Sequence, residues 1–432
     1  MSDTLFQFPA FLNNAVIYEV NIRQYSLEGT FNAFAQYLPR LKELGADILW
    51  LMPIHPIGVE KRKGTLGSYY SISDHKGINP EFGNAGDLRN LVAKAHALGM
   101  KIIIDWVANH TAWDHVWTKS NPDFFVRNEK GGFTAPYDWD DVIQIDHSNA
   151  GEQAAMQDAM QYWIEEFDID GFRADLAHLT PLQFWKEARL KLTSLKKDLV
   201  WLAETEEIAY HEAFDISYTW EWMHATEKFA KKEINLRACL DVLKKYKTDF
   251  PEQAHRLFFT SNHDENSWNG TEYEKYGALA KALAVFSFTY PGLPLIYSGQ
   301  ELPNRKRLKF FDKDPIDWAP DIQLKDFYKI LSALRKSNKA IGAGAAAGVQ
   351  LFEEFAEKNV LAYQLSAGED ALLVFLNMGR EDIAQHIFSE SIKGNYRDVF
   401  AGEEMELQNE YLFSVKEGEF RVLEKIVPTD LY

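Results

Sequence analysis

Short apolar runs alternate with longer amphipathic stretches along the first 340 residues of the chain. The apolar runs predict buried strands over 16–20, 48–52, 101–105, 169–175, 199–203, 214–218, 257–260 and 295–297. A helical period predicts helices between them, over 33–44, 85–98, 151–167, 181–191, 227–246, 273–288 and 326–337. Because parallel neighbours need a crossover, eight such units indicate an α/β fold, the (β/α)8 TIM barrel. A doubly wound open sheet is the alternative architecture.

Two departures from this rhythm predict further domains. Roughly 40 residues at 111–149 are rich in Trp, Asp, Asn and Gly, and exceed an ordinary βα loop, so they predict a small inserted domain B. After an Ala/Gly-rich linker at 340–348, short alternating apolar runs predict a C-terminal antiparallel β-domain, domain C, over 345–432. The barrel, domain A, would then comprise residues 1–110 and 150–340.

Composition narrows the class of partner. The formal net charge of −18 disfavours nucleic acid, whose phosphates it would repel, and favours neutral or cationic small molecules. No apolar run reaches the length of a membrane span, so no membrane partner is expected. Cys239 is the single cysteine, which excludes an internal disulfide. Residues 1–9 lack the features of a signal peptide, which predicts a cytoplasmic protein, although a truncated secreted form would look the same. The sequence leaves the oligomeric state open.

Charged and polar side chains gather where the predicted strands end. In a barrel of this kind the active-site residues lie at the carboxyl ends of the strands. A lone acid there is commonly a helix cap, but several acids from different strands repel one another and therefore favour a shared function. The residues at these ends are Asp105, Asn109 and His110, then Arg173 and Asp175, then Glu204, then His263 and Asp264.

Two of these carboxyl groups suit glycoside hydrolysis, which needs one ionised carboxylate and one protonated carboxyl group. Asp175 lies two residues after Arg173, whose charge is expected to keep it ionised as the nucleophile. An ordinary surface ion pair is the alternative for these two residues. Glu204 follows a buried strand, where burial is expected to raise its pKa and make it the acid/base.

The other residues of the group have supporting roles in this hypothesis. Asp264 is expected to bind sugar hydroxyls and favour the distorted, oxocarbenium-like ring. His110 and His263 can donate hydrogen bonds to hydroxyls of the same sugar, and Asp105 is expected to orient Arg173.

These residues carry a resemblance to a known family. Asp105-x-x-x-Asn109-His110, Gly171-Phe172-Arg173-x-Asp175, Glu204 after its strand, and Asn262-His263-Asp264 resemble, in order and spacing, the four sequence regions of the α-amylase family, glycoside hydrolase family 13. The resemblance implies a TIM barrel with an inserted B domain and a C-terminal β-sandwich. It also implies a retaining mechanism through a covalent glycosyl-enzyme and α-linked glucan substrates, oligosaccharide or polysaccharide.

The same resemblance implies roles for residues around these regions. Tyr70 would stack on the sugar whose bond is broken. His178 lies three residues after Asp175, and its alternative roles are a contact with the sugar on the leaving-group side and a core or loop histidine. Asn109 stands where many family members hold a structural Ca²⁺, but Gln144 occupies the position where an acid usually stands. Calcium prefers several charged oxygens, so Asn109 is either a Ca²⁺ ligand or the donor of a loop hydrogen bond. No organic cofactor is implied.

Three functions are compatible with these residues. The leading hypothesis is a retaining hydrolase of α-1,4 bonds in malto-oligosaccharides or starch-type glucans. A transglycosylase or a sucrose/trehalose-type isomerase would use the same catalytic residues. A non-catalytic glucan-binding protein is disfavoured, since a binder need not keep all three acids. Near the predicted mouth, sugar platforms or local packing are alternative roles for Trp113, Trp117, Trp139 and Trp268.

Overall fold

Eight parallel strands close into a barrel in which each strand lies beside its neighbours in sequence. The computed structural model describes residues 8–342 and 347–427, and the barrel lies within them. The barrel confirms the predicted fold and excludes the open sheet. The strands are β1 (Ile17–Val20), β2 (Ile48–Leu51), β3 (Lys101–Trp106), β4 (Gly171–Ala174), β5 (Val200–Ala203), β6 (Ile216–Tyr218), β7 (His255–Phe258) and β8 (Leu293–Tyr297).

Helices connect the strands. Two helices that the sequence predicts as continuous are interrupted in the structure, so those two predictions were wrong in this respect. The predicted helix 227–246 is two helices, and Asn235 caps the second by accepting the Ala238 N–H at 3.1 Å. The predicted helix 273–288 is interrupted at Gly277, whose φ of +57° is left-handed and ends a helical turn. The longer helices are Ala85–Ala97, Ala150–Phe167, Leu182–Thr193, Trp220–Ala230, Leu236–Asp249, Leu279–Thr289 and Lys325–Ser337; shorter ones are Ile22–Tyr25, Phe31–Phe34, Leu38–Leu44, Trp117–Ser120, Glu272–Tyr276 and Lys339–Gly342.

At the start of β4 the backbone lies very close to β5, and this approach positions the ends of both strands. Gly171 has a φ of +148°, and a Cβ at this position would lie 2.0 Å from the Val200 carbonyl oxygen. Only glycine therefore lets β4 lie this close to β5. The register then places Arg173 opposite Asp105 of β3, and Ala174 opposite Ala203 of β5.

The inserted segment and the C-terminal region carry their own sheets. In the insertion, His110–Ala112 pairs antiparallel with Val142–Gln144. Residues 343–346 of the predicted linker lie outside the described residues. The C-terminal strands are β9 (Gly348–Leu351), β10 (Val360–Ala367), β11 (Asp370–Asn377), β12 (Ile383–Phe388), β13 (Gly394–Asp398), β14 (Glu404–Leu407), β15 (Glu410–Val415) and β16 (Phe420–Lys425). Six of them form one sheet in the order β9-β10-β11-β16-β13-β14, and β12 pairs with β15. The domain boundaries stay a prediction.

The chain divides into two compact units. The first includes Ile17–Tyr218 and Tyr297–Ile322, and it carries β1–β6 and the insertion. The second includes Thr219–Ile296 and the described part of Gln323–Tyr432, and its C-terminal strands enclose an apolar core around Phe375 and Phe413. Over residues 8–342 and 347–427, we find no helix with the length and apolar character needed to cross a bilayer.

Candidate active site

One fully buried guanidinium joins three carboxylates in the first unit. Arg173 donates from Nη1 to Asp105 Oδ1 and to Asp175 Oδ1, both at 2.9 Å. Its Nη2 lies 2.8 Å from Glu204 Oε2. The side chain of Arg173 is 0% exposed and those of the three acids are at most 9% exposed. The alternative of an ordinary surface ion pair is therefore wrong.

Aromatic side chains with polar tips complete this cluster. The second oxygen of Asp105, Oδ2, accepts hydrogen bonds from Tyr70 OH at 3.0 Å and from Trp50 Nε1 at 3.1 Å. Arg173 Nε donates to Tyr218 OH at 3.2 Å. Sequence reasoning missed Trp50 and Tyr218. The available signal was their position: each is a ring with a hydrogen-bonding tip near the carboxyl end of a predicted strand.

The backbone immediately after Asp175 contributes a further donor. Leu176 adopts a left-handed conformation, with φ 41° and ψ 50°, which bulky residues rarely enter. Its N–H donates to Glu204 Oε2 at 2.8 Å, so Glu204 is held by both Leu176 and Arg173. No sequence signal marks this turn, because leucine does not favour a left-handed conformation.

Burial changes the expected protonation of the cluster. It raises the pKa of Asp175 well above the usual range, and the charges of Glu204 and Asp105 add to this effect while Arg173 opposes it. Arg173 lowers the pKa of Asp175 as the sequence predicts, but burial outweighs this effect. One cation faces three carboxyl groups in a buried site, so a proton held among them relieves their mutual repulsion.

The structure places the remaining predicted residues of the first unit at different depths. His110 is 4% exposed, hydrogen-bonds the backbone of Tyr70, and has a pKa lowered to about 4 mainly by burial, so it is neutral at pH 7. His178 is exposed on the turn Ala177–Leu179, where its carbonyl oxygen accepts a hydrogen bond from Tyr210 OH at 3.2 Å. None of the cluster contacts above involves His178.

His263 and Asp264 belong to the second unit. Strand β7 ends at Phe258, and both residues lie beyond its carboxyl end, in a helical turn that leads into a π-helix. His263 Nε2 is 3.2 Å from Asp264 Oδ2, and the Asp264 side chain is 39% exposed. Asp264 directly precedes the π-helical turn Glu265–Asn269, a rare geometry that is frequent at functional sites.

Asn109 is the residue for which the sequence leaves a Ca²⁺ ligand and a loop hydrogen bond as alternatives. Asn109 is 3% exposed, and its Nδ2 lies 3.3 Å from His110 Nδ1. Across the described part of the chain, no group of three or more His, Cys, Asp or Glu residues is arranged to hold a metal ion. The contact with His110 is the kind of local bond expected of the loop role, Ca²⁺ binding at Asn109 stays a prediction, and we derive no step through a metal.

Comparison with known proteins decides the family. The α-amylase catalytic domain matches residues 12–144 and 137–314. The chain belongs to the α-amylase family. This amylase-family chain superposes on the crystal structure of a maltogenic α-amylase of Thermotoga neapolitana with a TM-score of 0.88 and 30% identity, over 96% of the chain and 100% of that protein.

Two sequence relatives add to this comparison. An α-amylase of Haloarcula japonica is 29% identical over 86% of the chain, and the chain spans 56% of that protein's length. An intracellular maltogenic amylase of Bacillus subtilis is 26% identical over 93% of the chain and 70% of its own length.

Proposed function

We propose that this amylase-family enzyme is a retaining α-glycoside hydrolase that cleaves α-1,4 bonds of malto-oligosaccharides or starch-type glucans. One observation carries the proposal: Arg173 binds the carboxylates of both Asp175 and Glu204 in a buried site, at 2.9 and 2.8 Å. The pairing supplies the two carboxyl groups that a retaining glycosidase needs on a shared, rigid support.

In the first step, the Glu204 carboxyl group donates its proton to the glycosidic oxygen as the bond to the anomeric carbon breaks. Asp175 attacks that carbon and forms a glycosyl ester. In the second step, Glu204 takes a proton from water, and the resulting hydroxide displaces Asp175 from the sugar. Arg173 holds both carboxyl groups in place throughout and balances their charge.

The third acid and the histidines act on the sugar in this proposal. In a parallel barrel the carboxyl ends of all strands open on one rim, so we assign Asp264, beyond β7, to the hydroxyls of the reacting sugar. His263, beside Asp264, and neutral His110 would donate hydrogen bonds to the same ring. Tyr70, fixed through its hydroxyl to Asp105, would stack on the sugar.

The named relatives support the substrate class and the location. Their names, α-amylase and maltogenic amylase, support an α-glucan substrate, oligosaccharide or polysaccharide. The Bacillus subtilis relative is named intracellular, which supports a cytoplasmic site of action for this enzyme.

A product profile tests the proposal. The purified protein is incubated with maltose, maltotriose, starch, pullulan and sucrose, alongside Asp175→Asn and Glu204→Gln. We expect wild type to shorten the α-1,4-linked substrates and both variants to be inactive while folded. Longer products from maltotriose would identify transfer to sugar as the main reaction. Wild-type turnover by either variant would contradict the assigned roles.

A further inference from the structure

Two buried histidines connect the inserted segment to the end of β3. The Trp117 backbone N–H donates to His115 Nδ1 at 3.1 Å, and His115 Nε2 lies 3.0 Å from His75 Nδ1. The other ring nitrogen of His75, Nε2, lies 2.9 Å from the Val107 carbonyl oxygen. His115 is 0% exposed and His75 is 1% exposed. These consecutive hydrogen bonds form a histidine relay that is shielded from bulk water.

The two ends of the relay fix the protonation state of both rings. A backbone carbonyl can only accept, so His75 carries its proton on Nε2. A backbone N–H can only donate, so His115 Nδ1 is unprotonated and its Nε2–H donates to His75 Nδ1. Every bond is then made with both imidazoles neutral. A second proton on either ring would bring two N–H groups face to face and break the relay.

The surroundings of the relay are aromatic. The Trp117 ring stacks on that of His75 with centroids 5.2 Å apart, and the Trp106 centroid lies 5.4 Å from that of His75. Trp163 Nε1 donates to the His75 carbonyl oxygen at 2.7 Å. Enclosure by such rings disfavours a charged imidazole.

The titratable groups that face the relay are His55, His110 and Asp74. Burial lowers the pKa of His75 to about 4, against the smaller opposing effects of the Val107 carbonyl and Asp74. Burial also lowers the pKa of His115 well below the usual range, and the charges of His75 and His55 add to this effect. Both imidazoles are therefore neutral at pH 7, as their hydrogen bonds require.

The relay ends beside the proposed catalytic residues. Val107 directly follows Trp106, whose carbonyl oxygen accepts the Asp175 N–H at 3.0 Å. His75 lies in the same short segment as Tyr70, whose hydroxyl bonds to the carboxylate cluster. This segment is thus attached to the end of β3 at both Tyr70 and His75. Losing the bond to Val107 would release one attachment and let Tyr70 and the Asp175 backbone shift.

We propose that His75 and His115 are positioning residues, which hold Tyr70 and the backbone at Asp175 in place through a relay that exists only while both imidazoles are neutral. The inference rests on the proposed function and goes beyond it by naming the protonation state in which the site is assembled. Both rings act through Val107 and not on the sugar.

A pair of amide substitutions tests the positioning. His75→Gln places its amide nitrogen near the position of Nε2, where it can donate to Val107, whereas the shorter side chain of His75→Asn does not reach. On maltoheptaose we expect His75→Asn to lose about 10- to 100-fold, mainly in kcat, and His75→Gln to lose about 3-fold or less. His386→Asn, at a site 52% exposed in the C-terminal strands, is the matched surface control.

Two further measurements read the protonation states without using activity. Histidine-specific ¹⁵N NMR at pH 7 should show the proton on Nε2 of both rings, with signals assigned by their absence in His75→Gln and His115→Gln. The folded pKa of His75 is lowered, so the unfolded chain takes up the proton first and stability falls as pH drops from about 6.5 towards 4. From pH 7 to pH 5, the unfolding equilibrium constant of wild type should therefore rise about 20-fold more than that of His75→Gln.

The outcomes separate this inference from the proposed function. A proton on Nδ1 of either ring, or an equal rise of the unfolding constant in wild type and His75→Gln, would overturn the relay. Equal kcat values for His75→Asn and His75→Gln would overturn the positioning role. His115→Phe, which interrupts the relay one bond earlier, replaces His75→Asn if the latter does not fold. If wild type hydrolyses no α-glucan, the proposed function fails instead, and the NMR and unfolding measurements still decide the relay.

Discussion

Replacing Arg173 by methionine tests how the buried cluster is held together. Methionine has a similar length and no charge, so the change removes the cation and leaves Asp105, Asp175 and Glu204 facing one another. Each of these acids lies within 2.9 Å of the guanidinium. We expect Arg173→Met to fold less stably at pH 7 and to recover part of that loss at lower pH.

The magnitude follows from the three contacts. At an effective dielectric constant of about 20, an ion pair whose charges are roughly 4 Å apart gains about 4 kcal/mol, so the gross attraction is on the order of 12 kcal/mol. Desolvation of the charges and repulsion among the carboxylates offset most of this sum. Removing one partner from a buried pair typically costs about 3–5 kcal/mol, and we expect Arg173→Met to lose this much at pH 7.

Urea unfolding at pH 7 and pH 5 measures the effect. The pKa of Asp175 is already raised in the presence of Arg173, and losing the cation raises it further. Protonation at pH 5 therefore removes part of the repulsion, and the difference from wild type should shrink. Arg173→Lys keeps a charge and should lose less than Arg173→Met. Equal stability of wild type and Arg173→Met at pH 7 would refute the reasoning. An equal loss of unfolding free energy at pH 7 and at pH 5 would also refute it.

Two further predictions concern the residues around Arg173. The pKa of Asp175 is raised in the fold, so its ionised form destabilises the protein above that pKa and the protein gains stability as pH falls through it. Asp175→Asn should therefore have a higher Tm than wild type at pH 7, with the gap closing in acid; a lower Tm at pH 7 would contradict this. The N–H of Leu176 holds Glu204, so an ester bond between residues 175 and 176, which removes that N–H, should lower kcat by about 10- to 100-fold with little change in KM. An unchanged kcat would show that this N–H does not position Glu204.

The barrel could be predicted because its signals are local. Strands such as β3, with its Ile-rich run, and helices ending at glycine follow the rules of apolar period and capping. Continuity of the helices was harder to predict. Asn235 and Gly277 each interrupt an apolar pattern that continues through them, and only the cap geometry reveals the break.

The sequence was enough to predict which acids form the candidate site, but not how burial and neighbouring charges shift their pKa values. The sequence places Asp175, Glu204 and Asp264 beyond the ends of apolar runs, which is enough to name them. It cannot show that Asp175 is buried or that three carboxyl groups share Arg173, and those two facts raise the pKa of Asp175. The left-handed turn at Leu176 depends on tertiary packing and leaves no trace in the sequence.

The anomer first released from an α-glucan tests the central claim most directly. Two displacements at one carbon, the first by Asp175 and the second by water, preserve the configuration. Proton NMR of maltoheptaose hydrolysis, recorded before the anomers equilibrate, should show the α-anomer of the new reducing end first. Initial release of the β-anomer would contradict Asp175 as nucleophile and the retaining mechanism with it.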